Sequence, residues 1–133
     1  MRIPVLITGL FLGAACGGGE SAGTPLPAGG ILRVGDVQGS GDTSPLVGAD
    51  VAIHGVVTGD FQYGDGDERR NLGGFYVLGA PDGKAETSDG IFVFDGTAPA
   101  VDVAVGDTVE VRGTVQEFFG ETQLEASSVR VTG

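Results

Sequence analysis

Beyond Gly30 the chain is cut every few residues by glycine or Asp-Gly, and the residues between the cuts form short runs rich in Val, Ile, Thr and Phe. No stretch there carries the three-to-four-residue apolar spacing of an amphipathic helix, so the pattern predicts an all-β domain. "ILRVGDVQ" (Ile31–Gln38) reads as a first strand in which Gly35 shifts the phase as a bulge. "DVAIHGVVTGDFQ" sets Val51, Ile53, Gly55 and Val57 on one face and Ala52, His54, Val56 and Thr58 on the other. "GGFYVLG" and "DGIFVFDG" are almost wholly apolar, the pattern of strands covered on both sides. "DTVEVRGTVQEF" points Val109, Val111, Gly113 and Val115 inward, and "TQLEASSVRVT" closes the set with a phase slip near Ser127 and Ser128.

These runs amount to about five to six strands in roughly one hundred residues, a size at which one curled sheet can bury its apolar face and remove its own edges. Gly55 and Gly113 fall in strand interiors, where glycine marks a sharp bend or a close backbone approach. The expectation is a small Greek-key barrel of the OB type. An immunoglobulin-like sandwich is the alternative, but its Cys and Trp hallmarks are missing from this chain.

The residues before the barrel read as an export and anchoring device. "MRIPVLITGLFLGAAC" has Arg2, a short apolar run and small residues leading into Cys16, the sole cysteine. The run is shorter than the ~20 apolar residues that span a bilayer and has the form of a cleavable signal. Its end resembles a bacterial lipobox, with Leu12 one place early, so residues 1–15 are predicted to be removed and Cys16 to be lipidated. The membrane is then engaged through the lipid anchor alone, and the exported domain holds together without a disulfide. Residues 16–30, rich in Gly, Ser and Pro, read as a tether, and 31–133 as the barrel domain. Without Arg2 the mature chain carries six Lys or Arg against eighteen Asp or Glu, a net charge of −12. A field of that sign repels polyanions, the reverse of the usual nucleic-acid binder.

Four pieces, "VGDVQGSGDTSPLVGADVAIHGVVTGDFQ", "GGFYVLG", "TSDGIFVFDG" and "VAVGDTVEVRGTVQEFFGETQLEASSVRV", resemble in that order the OB-like domain of extracellular bacterial nucleases of the endonuclease/exonuclease/phosphatase type. The resemblance covers nearly all of Gly35 to Val131 and is most specific over Val37–Gln62 and Val105–Leu124. It implies a module that lies ahead of a catalytic domain and helps to hold nucleic acid. The sequence ends at Gly133, and its single His (His54) and single Asn (Asn71) do not furnish the metal-dependent centre of those enzymes. The expectation is therefore an accessory, non-catalytic module whose partners are single-stranded or extracellular DNA, or a nuclease catalytic domain on a separate chain. A cell-envelope interaction domain without nucleic-acid affinity, or the N-terminal fragment of a nuclease, are the alternatives.

Candidate sites follow from residue chemistry. OB domains hold single strands by stacking bases on aromatic rings inside a basic groove. Tyr63 and Tyr76, with Arg69, Arg70 and Arg112, are the expected contacts, while most of the phenylalanines read as core. Asp65, Asp67 and Glu68 offer hard oxygen ligands for Ca²⁺, but the spacing of a calcium loop is not met and a solvated connection is the plainer reading. No other cofactor is implied. His54 reads as structural, and Ser44, Ser88 and Ser127 lack a positioned base.

Overall fold

The computed structural model describes residues 30–133 other than Asp65 and Asp67, with Glu68 described in its backbone alone. Five strands form a closed barrel: β1 (Asp50–Phe61), β2 (Gly74–Leu78), β3 (Gly90–Phe94), β4 (Thr108–Phe118) and β5 (Glu121–Val131). Their order around the barrel is β1-β2-β3-β5-β4, closing back on β1. All neighbours are antiparallel except β3 and β5, which run parallel. This is an OB-like barrel, as the strand pattern predicts.

The long β1 serves both halves of the barrel. Its first part, Asp50 to Val56, pairs with β4, and its last part, Val56 to Phe61, pairs with β2. Gly55 stands beside this handover, next to Val56, which pairs with both neighbours. A Cβ on Gly55 would lie 2.4 Å from the Leu78 carbonyl oxygen. Gly113 plays the same part on β4, where a Cβ would lie 2.2 Å from the Glu125 carbonyl oxygen. Opposite it, the register passes from Arg112 with Ser128 to Gly113 with Ala126, leaving Ser127 as the extra residue of a bulge. The phase slip read from the sequence lies at that bulge.

The interior is filled by β-branched side chains. Val51, Ile53 and Val57 of β1 meet Val77 of β2, Ile91 and Val93 of β3, and Val109, Val111 and Val115 of β4. Among the described residues Phe75 is the one aromatic of this cluster, and Phe92 is the one other buried phenylalanine. The expectation that most phenylalanines are core is thus overturned. Strand alternation gives inward positions to Phe75, Ile91 and Val93, and turns Tyr76, Phe92 and Phe94 outward.

A second correction concerns Ile31–Gln38. Only Leu32 forms a β-bridge, parallel to Ile53, and the chain then turns into a short helix, α1 (Val34–Gln38). Val34 and Val37 are fully buried from this helix and join the barrel core. Gly35 is no bulge: a Cβ on it would meet Asp82 Oδ2 at 2.0 Å, so glycine lets α1 press against that loop. Ser44 holds the turn that follows. Its hydroxyl donates to the Val37 carbonyl and accepts from Leu46 N–H, while its own N–H donates to Glu117 Oε2 at 3.0 Å.

Candidate functional site

Cross-strand register places one row of side chains around the outside of the barrel. Tyr76 of β2 lies opposite Phe92 of β3, Phe92 opposite Gln123 of β5, and Gln123 opposite Gln116 of β4. The rings of Tyr76 and Phe92 meet edge to face with centroids 4.9 Å apart, and Phe61 meets Tyr76 the same way at 5.9 Å. Gly74 makes room for this arrangement, since a Cβ there would lie 2.8 Å from the tip of the Phe92 ring. Phe92 therefore lies down against the sheet although it points outward, and little of it remains exposed.

Around this floor the surface rises into a groove of about 380 Å³. Leu72, Phe94 and Phe118 form its apolar walls, and Glu121 stands at its edge. Phe118 ends β4 and is 55% exposed; its ring packs against Phe119 with centroids 4.5 Å apart. Phe119 and Gly120 form the two-residue turn into β5, both with positive φ (49° and 81°). Phenylalanine is an unusual choice there, because a side chain larger than Asn is disfavoured in left-handed backbone.

The polar edge of the groove is ordered by its own hydrogen bonds. Gln123 Nε2 donates to Gln116 Oε1 at 3.4 Å, and Gln116 Nε2 donates to Glu125 Oε1 at 2.9 Å. The Tyr76 hydroxyl donates to Glu121 Oε2 at 3.4 Å. Burial first, and then the Glu121 charge and that hydrogen bond, hold the phenol above its ordinary pKa, so it remains a neutral donor. Among the described residues no Lys or Arg lines the groove.

Of the residues singled out from the sequence, Tyr76 lines the groove. Arg70 stands at one end of the ring row, its guanidinium carbon 5.1 Å from the Phe61 centroid. Arg69 is exposed on the same short 3₁₀ turn, Glu68–Arg70. Tyr63 borders a separate shallow cavity with Gly64, Gly66, Asn71 and Thr97. Arg112 lies elsewhere on the barrel, opposite Ala52 and Ser128, and pairs with Glu110 at 3.3 Å. Arg130 bonds to the same Glu110, and the Arg33 guanidinium donates to the Pro81 carbonyl at 2.7 Å. His54 is exposed on β1 opposite Glu110, a surface residue rather than a structural one. Cys16, Asp65, Asp67 and the Glu68 side chain lie outside the described residues. Among the described residues no three or more of His, Cys, Asp and Glu are grouped to hold a metal ion.

Sequence reasoning missed Phe92, Phe94, Phe118, Gln116 and Gln123 as groove residues. Their outward parity was readable; that Leu72, Tyr76, Phe92, Phe94 and Phe118 gather around one open groove was not. It also missed Gln62, which is 1% exposed and ties the β1–β2 connection to the loop after β3. Its Nε2 donates to Asp95 Oδ2 at 2.6 Å and to the Val101 carbonyl at 2.9 Å, and its Oε1 accepts from Val103 N–H at 3.0 Å. Burial pushes the Asp95 carboxyl above the ordinary range, the Gln62 hydrogen bond pulls it back, and Asp60 adds to the rise.

No family model and no curated protein matches this chain. Among solved structures it is similar to the hypothetical protein YgiW from E. coli, an OB-like barrel. The match has a TM-score of 0.55 and 18% identity and covers 84% of this chain and all of that one. At that identity the likeness concerns the fold alone.

Proposed function

We propose that this chain is a non-catalytic OB-type binding module, exported and anchored through a lipid on Cys16, that serves an extracellular nuclease system and takes its ligand in the aromatic groove. The observation that carries the reading is the groove itself: an outward row of rings on a sheet face where packing alone would favour polar side chains. The nuclease association and the anchor rest on the sequence resemblance and the lipobox-like ending. The described cations are engaged with Glu110, Phe61 or a backbone carbonyl in four of their places, and none lines the groove. With a net charge of −12 behind it, this surface suits a polypeptide partner, such as the nuclease catalytic chain, better than a phosphate backbone.

A second reading, single-stranded nucleic acid held by its base faces, is favoured by the ring row, since stacking on aromatic side chains is the common OB mode. Calorimetric titration of the full mature chain separates the two. A nuclease catalytic domain of the resembling type should bind, and Phe94→Ala should weaken it about tenfold, as truncating a buried aromatic anchor does. Oligothymidylate should show no binding even at about 50 mM salt, where phosphate contacts are strongest. DNA binding that Phe94→Ala abolishes selects the second reading. Binding of neither partner contradicts both.

A further inference from the structure

We propose that the groove receives an arginine side chain presented by a basic polypeptide segment. The inference rests on the reading of the groove as a ligand site and names the chemistry of what enters it. Three observations converge on a guanidinium. First, the groove edge carries a carboxylate acceptor: Glu121 stands on it, tied among the described residues only by the long bond from Tyr76, and Glu125 lies beyond Gln123 on the same outward face of β5, where it accepts from Gln116. Second, each wall amide spends one of its N–H groups along the wall, from Gln123 to Gln116 and from Gln116 to Glu125, while the carboxylate at the edge only accepts, so a ligand bringing several N–H groups is matched there. Third, the ring row already carries a guanidinium at its Phe61 end, where Arg70 sits 5.1 Å above the ring.

Arginine fits this combination better than lysine. Its planar group stacks on a ring face and presents a fork of donors to a carboxylate, whereas the lysine ammonium is a compact and strongly hydrated point charge. The space of about 380 Å³ admits an extended side chain with part of its flanking backbone. The field of a chain with net charge −12 draws a basic segment in and disfavours a phosphate backbone.

The test titrates the full mature chain with three probes: a glycine-serine peptide carrying two arginines, the same peptide with lysines, and oligothymidylate. The arginine peptide should bind, with the lysine peptide about tenfold weaker. Glu121→Gln, which keeps shape and removes charge, should weaken the arginine peptide about tenfold. Phe118→Ala, at an exposed position where folding is little affected, should weaken it by a similar factor. Equal affinity for both peptides, or arginine binding indifferent to both substitutions, would mean general attraction to an acidic surface and would overturn the inference. If oligothymidylate alone binds and loses affinity in Phe118→Ala, the groove remains a ligand site and the arginine assignment fails. If no probe binds and the nuclease chain also fails to bind, the reading of the groove falls with it.

Discussion

Gly113→Ala is expected to destabilise the barrel by about 2–4 kcal/mol, seen as a lower midpoint in urea unfolding. The new methyl would lie 2.2 Å from the Glu125 carbonyl oxygen and 3.0 Å from the Ala126 Cα. Both are backbone atoms of the paired strand, so no rotamer change relieves the overlap. The strands must separate at the Ser127 bulge, where β4 and β5 are already irregular. Gly41→Ala is the control. Its Cβ would meet nothing closer than 3.9 Å, and the position is exposed. A surface change of that kind stays within about 0.5 kcal/mol. If the two variants unfold alike, the close approach at Gly113 does not govern closure of the barrel.

Gln62→Leu is the second large effect, expected at about 2–4 kcal/mol near pH 7. Leucine keeps much of the volume but leaves the buried Val103 N–H without its acceptor and Asp95 Oδ2 without its donor. Asp95 Oδ1 already lacks a partner, so the variant would leave a partly buried carboxylate with neither oxygen bonded by a side chain. The pH dependence follows from the direction of the Asp95 shift. A carboxyl whose pKa is raised by folding contributes stability below its ordinary range near ~4 and loses it as pH rises through the raised value. Because the Gln62 bond lowers that pKa, its removal raises it further and deepens the loss. The gap in melting temperature between wild type and Gln62→Leu should widen from about pH 4 to pH 7. A gap that narrows over that interval would show that the Gln62–Asp95 contact does not control this junction.

The legible and illegible parts of the chain divide along a physical line. Strand alternation, the close approaches at Gly55 and Gly113 and the slip beside Ser127 each follow from the local period and from missing side chains. Such properties are written in a few adjacent residues. The segment Val34–Gln38 misled because five residues are too few to display a helical period, and the burial of Val34 and Val37 depends on a barrel end far away in sequence. Gly35 is explained by Asp82 and Thr87, contacts across 47 and 52 positions that no local pattern reveals.

The groove shows the same division. "GFYVL" and "GIFVF" are apolar on both faces, which reads as double cover. The inner face is covered by the barrel's valines, while on the outer face Tyr76, Phe92 and Phe94 line an open groove with Gln116, Gln123 and Glu121. Whether an apolar face is packed or open is a tertiary fact, and here it separates a core from a candidate site. Gln62 escaped notice for a related reason: a single buried amide gives no periodic signal, and its three bonds reach residues 33 to 41 positions away.

The claim that the groove is the ligand site can be tested with one fluorophore, because the chain contains no tryptophan. Phe118→Trp puts a single indole on the groove wall at an exposed position that tolerates the larger ring. Titration with the arginine peptide, with binding followed in parallel by calorimetry, should shift or quench the indole emission in step with saturation. Saturable binding that leaves the emission unchanged would place the ligand elsewhere on the barrel and contradict the account.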